Sequence, residues 1–345
     1  MKNTVSQIDF HITNVCNFNC TDCSNFNDYY FSGQQKWEDH KDVYKKWGEL
    51  VEINHISILG GEPLLNPTVL EWIDGIAEIW TKPDIVITTN GSRLNQVKDL
   101  YSTIVKYNGR VHIGIALHNI DRKDEVIADS KEFLQEIALE EYNTSSDPVD
   151  LPRWKKIYNE IRSNDWPDCD TPEEYANLPA LVRFECENRF NISGPIFIDS
   201  FYKTKLQDIN GIKIEISTAR VFDNHALIRN DDVFTLHDSD PAKAHNKCFL
   251  KHCYFFKKGK LYQCPVVAHL SEFQEQFYLD VTDEDKDIIL NGYDALTIDH
   301  SAEEREQFIN TLGKQVPACK FCPEKPIETR LSASTDKIRV KKKKP

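Results

Sequence analysis

The sequence predicts an α/β fold: a parallel sheet with helices outside it, arranged as an open doubly wound sheet or as a full or partial barrel. Two observations predict this. Short apolar runs, mostly β-branched, recur through the first 120 residues, and between them lie stretches whose apolar residues repeat at helical spacing. A third observation locates function. The runs end at Gly, Asn or Cys, so polar residues collect at the C-terminal strand ends, where such sheets place their sites.

Taken in order, residues 7–13 (QIDFHIT), 55–61 (HISILGG), 84–91 (DIVITTNG) and 110–117 (RVHIGIAL) read as strands. The helices between them carry Val43, Trp47, Leu50 and Val51, then Val69, Trp72, Ile73, Ile76 and Ile79, then Leu94, Val97, Leu100, Tyr101 and Ile104. Asn66 followed by Pro67 reads as the N-cap and first position of the second helix. Residues 121–143 are charged and helical, and 143–185 reads as an insertion with proline-bounded loops. Strands resume at GPIFI and at 211–217 (GIKIEIS). The polar stretch before Cys248 sets a boundary near residue 245, giving a core over 1–245, a second unit over 246–330 and a basic tail over 331–345. That tail is a block of like charge at a terminus and is expected to be solvated and disordered.

At 345 residues the chain has ample material for one large unit and a smaller one. It contains no apolar run of about eighteen residues, and its polar start lacks the features of a signal peptide, which places it in the cytoplasm. In that reducing compartment its ten cysteines are expected as metal ligands or small buried hydrophobes, not disulfides. A formal charge of −13 leaves no broad basic field for phosphates and argues against a nucleic-acid partner.

Cys16, Cys20 and Cys23 form a C-x3-C-x2-C loop after the first strand. Structural zinc takes four ligands, so three thiols need a fourth from elsewhere or leave a place open. A cubane iron-sulfur cluster has four irons, and three thiolates leave one iron free. Farther along, Cys248, Cys253 and Cys264 flank a KKGKLY hairpin, and Cys319 and Cys322 form a C-x2-C. Hairpin cysteines with a distant C-x2-C make a four-sulfur site that suits zinc or iron-sulfur equally. Cys169 and Cys186 are isolated and read as structural.

The three-cysteine loop, followed by GGEP after the second strand and TTNG after the third, resembles the radical S-adenosylmethionine (SAM) superfamily. The resemblance implies a partial (β/α)6 barrel of TIM type, a 4Fe–4S cluster on Cys16, Cys20 and Cys23, and SAM on the free iron. It also implies reductive cleavage of SAM to a 5′-deoxyadenosyl radical and hydrogen abstraction from a substrate C–H bond, with a flavodoxin or ferredoxin as electron donor. On the matching positions, Gly60, Gly61 and Glu62 are implied to hold the methionyl amine. Thr88, Thr89 and Asn90 would serve the carboxylate or ribose, and His118 or Asn119 a ribose contact where Ala116 has none to give. Asp22 stands where many relatives have an aromatic residue, which leaves Phe18 or Phe26 for adenine stacking.

The spacing C-x10-G-x4-C of Cys248, Gly259 and Cys264 resembles the SPASM and twitch auxiliary-cluster domains. That implies a second 4Fe–4S cluster on Cys248, Cys264, Cys319 and Cys322, with Cys253 as the competitor of Cys248, and a net oxidation of a small molecule, sugar derivative or peptide side chain. An epimerase or peptide maturase is the neighbouring alternative, and a zinc adaptor or an iron-sulfur electron carrier the alternative of another class. No spacing singles out an acid or a base, so no catalytic side chain is assigned.

Overall fold

The computed structural model describes residues 2–20, 22–134, 140–143, 202–218, 221–223, 226–248, 254–290, 295–325, 328–330, 333–334 and 342–343. The GPIFI run, Cys169, Cys186, Cys253 and, beyond Asn143, the insertion lie outside them.

The alternating runs of the first 120 residues become strands and helices as the sequence predicts, whereas the stretch 121–143, read as helical, is a helix only over Lys123–Phe133 and carries a strand at Glu140–Asn143. β1 (Asn3–His11) leads through β2 (Asn19–Cys20) and α1 (Trp37–Leu50) to β3 (Val51–Leu59). Then follow α2 (Val69–Ile79), β4 (Asp84–Thr89), α3 (Leu100–Val105), β5 (Val111–Ala116) and α4 (Lys123–Phe133). β6 (Glu140–Asn143), β7 (Tyr202–Gln207) and β8 (Lys213–Thr218) come next. Among the described residues the main sheet has nine strands in the order β13-β12-β1-β3-β4-β5-β8-β7-β6, where β12 is Phe255–Lys257 and β13 is Lys260–Tyr262. The six strands from β12 to β8 run parallel.

The two faces of this sheet differ, and the difference decides the architecture. Phe10, Ile58, Ile87, Ile113 and Ile214 occupy one face and are essentially unexposed. Behind β1, Phe10 and Phe256 pack with Tyr44 and Trp47 of α1 and with Trp80. Each such buried side chain contributes about 1.5–3 kcal/mol. The other face carries Asp9, Ser57, His112 and Gly114, with His55, Thr88 and Glu215, most of them half-buried. A doubly wound sheet covered by helices on both sides would need apolar residues on both. One helical layer over a polar inner face is the partial barrel.

One sequence expectation shifts by two residues. Residues Pro63–Leu65 form a 3-10 turn that ends at Asn66, and α2 begins at Val69 with Thr68 in the cap position. Asn66 Oδ1 accepts from Thr68 N at 2.9 Å, while its Nδ2 donates to the Ile12 and Gln35 carbonyls at 2.8 Å each. The amide ties the end of β1 to the helix start.

The hairpin read at KKGKLY is β12–β13. Its two-residue turn puts Lys258 at φ 51° and Gly259 at φ 74°, the doubly left-handed turn that twists with its strands. Trp47 Nε1 donates to the Gly259 carbonyl at 2.8 Å, and a Cβ at Gly259 would lie 2.7 Å from Val43 Cγ1. Although it follows residue 245, this hairpin extends the main sheet beside β1, with Asp9 opposite Phe255.

A second core forms beyond it. β9 is Val221–Asp223, β10 Leu227–Asn230 and β11 Val233–Leu236. α5 (Pro241–Lys247), α6 (Pro265–Gln276), β14 (Tyr278–Leu279), α7 (Asp283–Leu290) and α8 (Ala302–Thr311) follow. Val266, Leu270 and Phe273 of α6, with Phe277, pack against Phe234, Phe321, Phe26 and Phe31. The last two flank the first cysteine loop. β15 (Glu328–Arg330) pairs with β9. The described tail residues also have backbone partners: β16 (Ala333–Ser334) runs antiparallel to β2, and Lys343 N donates to the Gln276 carbonyl at 2.9 Å. Ala333 and Ser334 carry no charge, and the open edge of β2 offers them backbone hydrogen bonds. No helix among the described residues is long and apolar enough to cross a membrane.

Candidate functional site

The C-terminal ends of β1, β3, β4 and β5 form one rim, and the first cysteine loop leaves it from β1. The chain after β3 pairs with the start of that loop: Gly61 N donates to the Thr13 carbonyl and Glu62 N to the Val15 carbonyl, both at 2.8 Å. A Cβ on Gly60 would lie 2.4 Å from Thr13 O, and one on Gly61 2.4 Å from Val15 O and 2.9 Å from Cys16 Cβ. The two glycines are therefore required by the cysteine loop itself. The Gly60 carbonyl accepts from Asn25 Nδ2 at 3.0 Å.

Glu62 is fully buried. Its Oε1 accepts from Thr89 Oγ1 at 2.7 Å and Leu64 N at 3.0 Å, and its Oε2 from Asn90 N at 2.7 Å. Burial pushes its pKa above the ordinary carboxylate value, against the pull of these three bonds and of Arg93. A carboxylate offers about four lone-pair positions, so one remains, on Oε2. Asn90 continues inward: its Nδ2 donates to Asn17 Oδ1 at 3.0 Å, and Asn17 Nδ2 to Ser92 Oγ at 2.8 Å. Asn17 lies between Cys16 and Cys20, so the end of β4 is tied to the loop.

Of the other residues expected at the rim, Thr88 is half-buried on the inner face, whereas Thr89 turns to Glu62. His118 and Asn119 stand half-buried past β5, where Asn119 Oδ1 accepts from Asp121 N at 2.9 Å and so shapes the turn. Phe26 is 1% exposed and packs edge-on against Phe273, which removes it from stacking on a ligand. Phe18 stays at the rim with the Arg122 guanidinium over its ring. Cys16 and Cys23 sulfurs face donors, Phe18 N at 3.4 Å and Asn27 Nδ2 at 3.9 Å.

The second cysteine group assembles from separate elements. Cys248 follows α5, Cys264 precedes α6, and Cys319 and Cys322 sit in and after a 3-10 turn, Pro317–Phe321. Burial pushes the Cys264 thiol up to about 12, with added repulsion from Cys248 and Cys319. Burial also raises Cys322 well above the ordinary thiol value, with Cys248, Cys264 and Cys319 adding to the shift. Cys264 and Cys322 thus both lie within reach of the charges of Cys248 and Cys319. Deprotonating them together needs a compensating cation, and soft thiolates suit zinc or iron-sulfur. Among the described residues no three or more His, Cys, Asp or Glu converge on a point that would hold a single ion. A cubane's thiolates bind irons at separate corners and stand farther apart than ligands of one ion.

Sequence reading missed the residues that frame the loop: Asn14, Asn17 and Asn25 around it, and His269 and Glu272 on α6. The signal was present as a run of asparagines, at 14, 17, 19, 25 and 27, interleaved with the cysteines. It also missed the polar inner face, where His55 and His112 are lowered by burial against the pull of Asp84 and Glu215, and Lys205 pairs with Glu215 at 2.7 Å.

Comparison with known proteins accords with this rim. Residues 10–140 match the Radical SAM superfamily. The GTP 3',8-cyclase of Trichodesmium erythraeum (strain IMS101) is 32% identical over 124 residues, 34% of this chain and 36% of that protein. That of Alkaliphilus oremlandii (strain OhILAs) is 33% identical over 132 residues, 35% and 38% respectively. The matched segment thus spans just over a third of these relatives. Among solved structures, Streptococcus suis SuiB bound to its precursor peptide SuiA is 18% identical over 39% of this chain and 31% of that one, with a TM-score of 0.32, a likeness too weak to bear on activity. Three cysteines on one loop, a Gly-Gly-Glu packed against it and a partial barrel beneath are thus found within the segment, residues 10–140, that matches the Radical SAM superfamily.

Proposed function

We propose that this chain is a radical SAM enzyme with a second, auxiliary 4Fe–4S cluster, and that it carries out a net oxidation of a polar substrate. The observation that carries the reading is the pairing of an incomplete thiol set, Cys16, Cys20 and Cys23, with a complete one, Cys248, Cys264, Cys319 and Cys322. When bound, the first cluster and SAM supply a 5′-deoxyadenosyl radical able to take a hydrogen atom from a substrate carbon.

The chain's own residues do the rest. Cys16, Cys20 and Cys23 hold the first cluster, with Asn17 fixing their loop to β4. The rim carbonyls receive the methionyl ammonium with the buried Glu62 carboxylate behind them as its charge partner, Thr88 and Asn119 offer polar contacts to the nucleoside, and Phe18 supplies an aromatic face. The polar inner wall, with Ser57, His55, His112 and Glu215, suits a hydrogen-bonding substrate such as a sugar derivative, a nucleotide or a polar side chain. The relatives' name, GTP 3',8-cyclase, is in keeping with a polar substrate; it does not choose among these. A flavodoxin or ferredoxin is the expected electron source. A second cluster held by Cys248, Cys264, Cys319 and Cys322 would have no place open to substrate and would supply an acceptor for one electron, in keeping with a net oxidation in which the substrate gives up one hydrogen atom, one electron and one proton.

Anaerobic reconstitution followed by reduction with SAM tests the reading. The expected result is methionine and 5′-deoxyadenosine formed in equal amounts. A protein that holds zinc at both sites and leaves SAM intact is instead the structural adaptor.

A further inference from the structure

The two cysteine sites share one helix. α6 starts directly after Cys264 and runs alongside the first cysteine loop, presenting His269, Glu272 and Gln276 at i, i+3 and i+7, one stripe of an α-helix. Each contacts the loop or its exit. His269 Nε2 lies 3.2 Å from Asn25 Oδ1, Asn14 Nδ2 donates to Glu272 Oε2 at 3.2 Å, and Ser32 Oγ donates to Gln276 Oε1 at 2.8 Å. Asn14 stands two residues before Cys16 and Asn25 two after Cys23, so the stripe grips both ends of the thiol loop.

The grip is braced from behind. Lys257 Nζ, on the hairpin, lies 2.7 Å from both Glu272 Oε2 and His269 Nδ1, and Lys258 pairs with the other Glu272 oxygen. His269 is unexposed and its ring meets that of His11, the last residue of β1, at 4.5 Å between centroids. On its apolar side α6 packs with Phe26 and Phe31, which flank the loop, and with Phe321 next to Cys322. Polar and apolar faces alike connect one thiol set to the other.

We propose that α6 is a coupling strut: closure of the second cysteine site on its metal centre fixes the start of α6, and His269 and Glu272 then act as positioning residues that hold the first loop in the shape that binds SAM. This deepens the proposed function and rests on it. A polar stripe buried at His269 and half-buried at Glu272 and Gln276 is stiff only when its partners are in place, so loosening Cys264 at one end loosens Asn25 and Asn14 at the other.

The test compares full-length protein, reconstituted anaerobically, with Cys319→Ala/Cys322→Ala, with His269→Phe and with the combination. Asn25→Ala repeats the cut from the loop side and leaves Lys257 its partners, should His269→Phe fail to fold. Hydrogen exchange of residues 13–27, referenced to β4 (Asp84–Thr89) and β5 (Val111–Ala116), reports the loop; the SAM dissociation constant reports its function. Opening the second site is expected to speed exchange of the loop and to weaken SAM binding by about tenfold each, a usual size for intramolecular coupling. Once His269 or Asn25 is replaced, opening the second site adds about twofold at most, because the connection is already cut. Loop exchange indifferent to the second site, or two lesions whose effects multiply in full, overturns the proposal. The exchange measurement needs neither SAM nor iron in the first loop, so the strut stands or falls apart from the enzymatic reading.

Discussion

Asn90 joins two parts of the rim at once: its backbone N–H donates to Glu62 Oε2 at 2.7 Å and its side chain to Asn17 Oδ1 at 3.0 Å. The carboxylate is thus the post to which the cysteine loop is tethered through β4, and in the proposed function a charge partner for the methionyl ammonium.

Glu62→Gln is therefore expected to act twice. It removes a charge that three donors address, at a cost of about 1.5–3 kcal/mol, and it takes away a charge partner of the methionyl ammonium, weakening SAM by about tenfold to a hundredfold. Urea unfolding and equilibrium dialysis against SAM read the two effects. Unchanged SAM affinity in a destabilised variant would make Glu62 purely structural.

Gly61→Ala is expected to cost the first cluster and spare the second. The added Cβ meets backbone, Val15 O at 2.4 Å, which a rotamer change cannot relieve, so the segment carrying Cys16 must move. Iron per chain should fall by about half, as loss of one of two cubanes requires. Full iron content with normal SAM cleavage contradicts the tight packing.

A pH window isolates Lys257. Burial lowers its pKa to about 8, with Glu272 pulling it back up and Lys258 adding to the lowering. His269 and Ala268 O on α6 and His11 on β1 complete its surroundings. The unfolded chain keeps that proton to about 10.4, so between about pH 8 and 10 it binds more protons than the folded chain, and stability rises with pH. Against Lys257→Met, the wild-type protein should gain roughly 2–3 kcal/mol across that window by denaturant titration. Parallel curves mean that Lys257 keeps an ordinary pKa. Thiols and tyrosines titrate there too, in both proteins alike, and cancel in the difference.

Much of this was legible in the sequence. Ile56, Ile58, Ile85 and Ile87 mark strands by β-branching, and Gly60 and Gly61 mark the turn beside the cysteines. Less legible was everything that depends on partners distant in sequence. Asn25 reads as loop composition until His269, 244 residues away, is placed against it. Phe26 reads as an aromatic near a cofactor site and is held in the second core instead. Asn66 accepts from Thr68 N as a cap would, but its Nδ2 is also held by the Ile12 and Gln35 carbonyls, and the regular helix starts only at Val69. The boundary drawn at residue 245 follows composition, while hydrogen bonding carries β12 back to β1, because an edge strand accepts any complementary segment that reaches it.

The central claim is that an incomplete thiol set and a complete one hold two cubane clusters with different duties, and metal analysis of cysteine variants tests it most directly. Iron, sulfide and zinc are measured per chain after anaerobic reconstitution, alongside SAM cleavage. The account predicts about eight irons in the wild-type protein. Replacing Cys16, Cys20 and Cys23 by Ala should leave about half the iron and no SAM cleavage, whereas Cys319→Ala/Cys322→Ala should leave the other half and some unproductive cleavage. Zinc in the second site, with iron unchanged when Cys319 and Cys322 are replaced, would contradict it.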